Sequence, residues 1–217
     1  MNLRLRRTLP SLALATVVAA LPHPASAAAP VVLSQGHVDV VDIHLHGSAF
    51  ELHVHDSTDP AGTGVERDPA EVLFAVRPEA RTTVPADQQY RFLGKAGAPV
   101  WVLPQSQDSR LLFAGYSAHE VPTGKLRGDT VRLKLVKVSG PAEVSVFTVN
   151  ATGKATVLLD SGDGLPDETA VSAGSHAHVN WGFEATGEYT LTFQAVATTT
   201  SGQQVSSAPT DFRFRVG

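Results

Sequence analysis

From His37 to Asp56 the chain alternates apolar and polar residues almost without interruption, as HVDVVDIHLHGSAFELHVHD. That is the two-residue period of a half-buried strand. Gly47-Ser48 falls in the middle, and a glycine-led pair between two such runs predicts a hairpin. With Gly47-Ser48 as a two-residue turn, His46 faces Ala49, His44 faces Glu51, Asp42 faces His53 and Val40 faces His55. Val41, Ile43, Leu45, Phe50, Leu52 and Val54 line the opposite face. One face is therefore aliphatic and aromatic, the other histidine and carboxylate. A four-residue loop over 47–50 keeps that division, with His44 opposite His53 and His46 opposite Glu51. An odd-length loop without a bulge separates the two His-x-His pairs onto opposite faces.

Strand patterns continue along the chain. Short apolar runs at 31–33, 71–76, 90–92, 99–103 and 111–115 precede a break near residues 124–129, and 58–69 is a loop without a period. Beyond the break the alternation is regular at 131–135, 144–149, 155–159, 169–171, 176–183, 189–197 and 212–216. Short strands at short spacing predict an all-β fold, an antiparallel β-sandwich of Ig-like architecture. The expected division is an N-terminal β subdomain over 28–125 and a sandwich subdomain over 126–217. No helix is expected beyond a turn near 85–89. Tyr189, followed by Leu191 and Phe193, has the pattern of a tyrosine corner, and Trp181 shares an apolar face with Val179.

Residues 1–27 change the picture of where the protein works. Arg4, Arg6 and Arg7 precede an apolar run from Leu9 to Leu21, and Ala25-Ser26-Ala27 is a small-residue cleavage signal. This order predicts a secretory signal peptide, with an apolar core too short to span a membrane. The whole chain carries 17 basic and 21 acidic residues. Three basic residues lie in the leader, so 14 against 21 remain, a net of −7. That balance excludes nucleic acid and anionic membrane as natural partners and suits a cation-binding exported protein. No second apolar segment follows, so no membrane span is expected in the mature chain. There are no cysteines, which removes disulfides, thiolate ligands and cysteine nucleophiles.

The histidines carry the candidate chemistry. Neutral imidazole and carboxylate oxygen are zinc ligands at about 2.0–2.1 Å, and side chains at i and i+2 of a strand project together. His44 and His53, with Glu51 or Asp42, and with His46 or His55 as a third imidazole, form the compact set. His46 and His55 lie too far apart along the ladder, roughly 20 Å, to share one ion. A second His-x-His is His176-Ala177-His178, and His37 and His119 are each placed to join a cluster. The plainer reading is a solvent-exposed histidine face over an ordinary core. Asp160, Asp163 and Asp167 lack the EF-hand spacing and are read as a turn with side-chain-to-backbone bonds. His44-Leu45-His46-Gly47 resembles multicopper oxidases and His53-Val54-His55 resembles copper/zinc superoxide dismutases. The absent cysteines and the missing downstream zinc histidines set both aside. No nucleophile elbow, phosphate loop or dinucleotide fingerprint occurs.

Six ordered segments are similar to one known family. They are Ser34-Gln35-Gly36-His37-Val38-Asp39, Arg81-Thr82-Thr83-Val84-Pro85, Phe92-Leu93-Gly94, residues 97–105 (GAPVWVLPQ), the loop 160–167, and residues 176–183 (HAHVNWGF). Together, over roughly 31–217, they resemble the actinobacterial surface-anchored protein domain, also called the choice-of-anchor M domain. The resemblance implies export, genes beside zinc/manganese-type ABC transporters, and a role in metal capture or delivery. It also implies His37, His176 and His178 as the pattern histidines. The chain departs from the family in showing no C-terminal anchor and in its richer 44–55 histidine cluster.

The functional expectation is binding of a divalent transition metal outside the cytoplasmic membrane, secreted or at the cell surface, in support of uptake. Zinc is the expected ion, with manganese and copper as alternatives, and the partner is the substrate-binding protein of an ABC transporter. The expected ligands are His44, His46, His53, His55 and Glu51 of the hairpin, with His37, His176 and His178. No catalytic residue is expected. A structural or adhesive β-module is the second expectation and a zinc hydrolase the third.

Overall fold

The structure is a computed structural model that describes residues 29–59 and 61–217. The leader read in residues 1–27 lies outside the described residues. The strands in chain order are β1 (Val31–Leu33), β2 (Gly36–His46), β3 (Ala49–Ser57), β4 (Val65–Arg67), β5 (Val72–Val76), β6 (Arg81–Thr83), β7 (Pro99–Leu103) and β8 (Leu112–Ser117). They continue as β9 (Thr130–Ser139), β10 (Val144–Val149), β11 (Ala155–Asp160), β12 (Asp167–Ser172), β13 (His176–His178), β14 (Asn180–Phe183), β15 (Gly187–Thr198), β16 (Gln204–Ser206) and β17 (Thr210–Val216). Helical turns among the described residues are short 3₁₀ segments. One of them, Gln88–Leu93, replaces the strand expected at 90–92. Asp87 caps it by accepting from the Gln89 N–H at 3.0 Å, which ends extended backbone there.

Three open sheets pack as a sandwich-like all-β fold. The first is ordered β1-β5-β17-β15-β9-β12 with β16 beside β15, the second β11-β10-β14-β7-β6, and the third β13-β8-β2-β3-β4. Pairing is antiparallel except at β1/β5, β5/β17 and β2/β8. Each sheet draws strands from both sides of residues 124–128. The expected boundary there therefore separates no sheets. The cause lies in the pairing: β5 from the first half adds to β17 at the chain's end, and β13 from the second half adds to β8.

One hydrophobic core joins the three sheets. Trp181, 1% exposed, packs its ring on Phe214 and Phe193 at centroid distances of 5.8 and 6.1 Å. The Tyr189 hydroxyl donates to the Ala185 carbonyl at 2.9 Å and closes the corner before β15. In the 160–167 loop, Asp160 Oδ1 accepts from the Gly162 N–H at 2.9 Å, the turn bond expected of it.

The stretch 176–183 is two strands rather than one. β13 pairs with β8 in the third sheet, and β14 pairs with β10 and β7 in the second. The chain changes sheet at the buried Val179. That crossing sends Trp181 into the sandwich core and leaves His176 and His178 on the third sheet.

Candidate metal centre

The third sheet aligns its polar residues in rows. One row runs His178, Gly115, Asp39, His55 across β13, β8, β2 and β3. The next runs His176, Ser117, Asp42, His53. Directly paired residues project from the same side of a sheet. His37, His44 and His46 continue that side along β2. His119 stands beside it on the loop after β8, its ring 5.0 Å from that of His176. Every histidine among the described residues is thus on or beside one face of one sheet.

A β-bulge makes this possible. The turn gives the pairs His46/Ala49, His44/Glu51 and Asp42/His53. The register then shifts, and Asp39 rather than Val40 faces His55. The β2/β8 ladder shifts at the same place, passing from Asp39/Gly115 to Val41/Tyr116. Val40 is the extra residue, and it changes the phase of β2. If the same residues ran as a regular strand, Asp39 and His37 would point away from Asp42 and His44.

The first cluster is His37, His176 and His178, each offering a nitrogen within 4.8 Å of the others. Tetrahedral zinc with bonds of about 2.0–2.1 Å spaces its ligand atoms about 3.4 Å apart, so the nitrogens need draw together by no more than about 1.4 Å. His178 is stacked on Phe113, with ring centroids 3.4 Å apart. The cluster borders a cavity of about 260 Å³ lined also by Asp39, Asp42, His55, Ser117, His119 and Glu120. The loop above it is tied down where the Ala118 N–H donates to the Ser175 carbonyl at 2.8 Å and the Leu45 N–H to the Glu120 carbonyl at 3.3 Å.

Two polar atoms of the row His178, Gly115, Asp39 are buried without a partner: Asp39 Oδ1 and His178 Nδ1. A Cβ at Gly115 would lie 2.9 Å from the first and 3.1 Å from the second. The two atoms therefore flank the one position in their row that has no side chain. Unpaired buried carboxylate is costly, and a bound cation removes that cost. Burial pushes the Asp39 carboxyl above its usual range, opposed by His37 and His176. Burial lowers His37, and burial together with His37 and His176 lowers His178 to about 4. Neutral imidazole is the form that binds metal.

The second cluster is His44, His46 and His53, again with one nitrogen each within 4.8 Å. His44 Nε2 lies 2.9 Å from Asp42 Oδ2. His53 Nε2 is 3.5 Å from Glu51 Oε2. Glu66 of β4 approaches both rings, at 3.5 Å from His44 Nδ1 and 3.3 Å from His53 Nδ1. Arg67 holds β4 in place through a 2.7 Å bond to the buried Asp56. Burial raises the Asp56 carboxyl, but the Thr58 bonds and Arg67 outweigh it and hold it low.

Of the expected ligands, the structure brings six histidines into two trios and leaves His55 and Glu51 at their margins. Asp39, Glu66 and Gly115 were not expected. The Val40-Val41 doublet is the sequence signal for Asp39, since it breaks an otherwise alternating run. No known protein family, curated protein or solved structure matches the chain.

Proposed function

We propose that this protein binds a divalent transition metal ion outside the cytoplasmic membrane, zinc above others, through His37, His176 and His178. The observation that carries the reading is convergence. Three imidazoles from segments 139 positions apart meet beside a buried carboxylate oxygen that no protein group satisfies. Imidazole-rich sites without thiolate suit zinc, copper or nickel, whereas calcium and magnesium take oxygen. Asp39, His119 or a water would complete the coordination. The similarity of six ordered segments to domains associated with zinc/manganese-type transporters supports delivery to a transporter's substrate-binding protein. The residue order of 1–27 supports export, with a mature start near Ala28.

The test is native mass spectrometry and calorimetric titration of the purified protein with zinc, beside a variant with His37→Ala and His176→Ala. Losing an outer-shell partner already costs about 10–100-fold in metal affinity, so losing two ligands should weaken the site by more than about 100-fold. The same spectra of secreted material read the mature start. A parent that takes up no zinc at micromolar concentration, or a variant that binds it as the parent does, overturns the reading and favours an adhesive β-module.

A further inference from the structure

We infer that the same sheet face carries a second metal site, formed by His44, His46 and His53 and closed by Glu66, and that Asp42 joins it to the first. The coupling rests on the proposed site at His37, His176 and His178, whereas the second site stands on its own geometry. In the neutral imidazole that binds metal, the 2.9 Å contact to Asp42 Oδ2 assigns the proton to Nε2, because a carboxylate accepts hydrogen bonds. Nδ1 is then a bare lone pair, and it faces the Glu66 carboxylate at 3.5 Å. In that form two acceptors face each other, and a cation bound between them relieves their repulsion.

The spacings fit an ion better than hydrogen bonds. Charge-assisted contacts run about 2.7–2.9 Å. The Glu66 oxygens lie 3.5 and 3.3 Å from the two Nδ1 atoms, close to the roughly 3.4 Å between ligands of tetrahedral zinc. His46, exposed at the hairpin end, completes the trio. Carboxylate–imidazole–metal relays of the Asp42–His44 type orient the ligand and raise its basicity.

Asp42 supplies the independent observation. It is 4% exposed, and its second oxygen, Oδ1, has no partner. Asp42 also lines the cavity beside His37 and His176. One buried carboxylate therefore bonds a ligand of the second site with one oxygen and borders the first site.

The experiment counts zinc ions per chain by native mass spectrometry on four proteins. They are the parent, a variant with His46→Ala and Glu66→Gln, a variant with His37→Ala and His176→Ala, and the four-fold combination. His46 and Glu66 are both exposed, so their variant keeps the fold, checked by circular dichroism melting. The expected counts are two, one, one and none. One ion on the parent that survives H46A/E66Q and disappears with H37A/H176A overturns the second site and keeps the first. One ion with the opposite pattern keeps the hairpin site and overturns both the proposed first site and the coupling. Asp42→Asn, read by calorimetry, should weaken both binding steps by about 10–100-fold. Parent-like affinity for both steps overturns the coupling.

Discussion

His178 is the imidazole that the fold alters most. Burial, reinforced by His37 and His176, lowers it from 6.5 to about 4. Proton uptake at this nitrogen therefore starts well below the ordinary histidine range, and burial moves His37 the same way. The ion-free protein should show the corresponding penalty. An unfolded chain takes up a proton at this position near pH 6.5, the folded chain only near 4. Between those values the unfolded state binds more protons, so stability falls as pH falls. Asp39 has the opposite sign, because its raised carboxyl protonates first in the folded state, but its window begins nearer its own value of 3.8. Urea melts of metal-free protein at pH 7 and 5.5 should show a loss that His178→Gln reduces. Equal pH slopes for parent and variant would mean that the ring is solvated rather than held between Phe113 and Gly115.

The bulge in β2 decides which side chains the sheet presents. Between Asp39 and Asp42, β2 has two residues where β3 and β8 each have one. Deleting Val40 leaves both ladders regular with Asp39 and Asp42 still on one side, so zinc uptake at the first cluster should survive. The buried valine is lost, at about 1.5–3 kcal/mol. Deleting Val38 instead turns His37 toward the core and should abolish that uptake. Loss from both deletions would show that the site depends on the twist of the bulge and not on the face it selects. The turn and the first three hairpin pairs were legible in the sequence because alternation there is regular. Asp39 was not, because counting a two-residue period through Val40-Val41 carries the wrong phase past the doublet. Glu66 lies on a three-residue strand, too short to show a period. The run 176–183 alternates throughout, and nothing local marks Val179 as the place where the chain leaves one sheet for another. Those choices are made by partners distant in sequence: β8 for the histidines, β10 and β7 for Trp181.

Across the whole molecule, the histidine face spans strands that are distant in sequence. β13 reaches β8, and β8 runs parallel to β2, so an ion held by His37, His176 and His178 ties an early strand to a late one. In the unfolded chain His37 lies 139 positions from His176, and no preformed site survives there. Zinc should therefore bind the folded state alone and stabilise it by mass action. Free zinc at 100 times the dissociation constant contributes about 2.7 kcal/mol per site. For a chain of this size each kcal/mol raises the melting temperature by about 2–4 °C, so one site should raise it by roughly 5–10 °C. Differential scanning calorimetry at pH 7.5, with and without zinc, reads the shift directly. A chelator should reverse it. The variant with His37→Ala and His176→Ala should lose the share due to the first cluster, and H46A/E66Q the share due to the second, each set by its own dissociation constant. A zinc-induced shift that H37A/H176A leaves undiminished would mean that no ion joins β13 to β2.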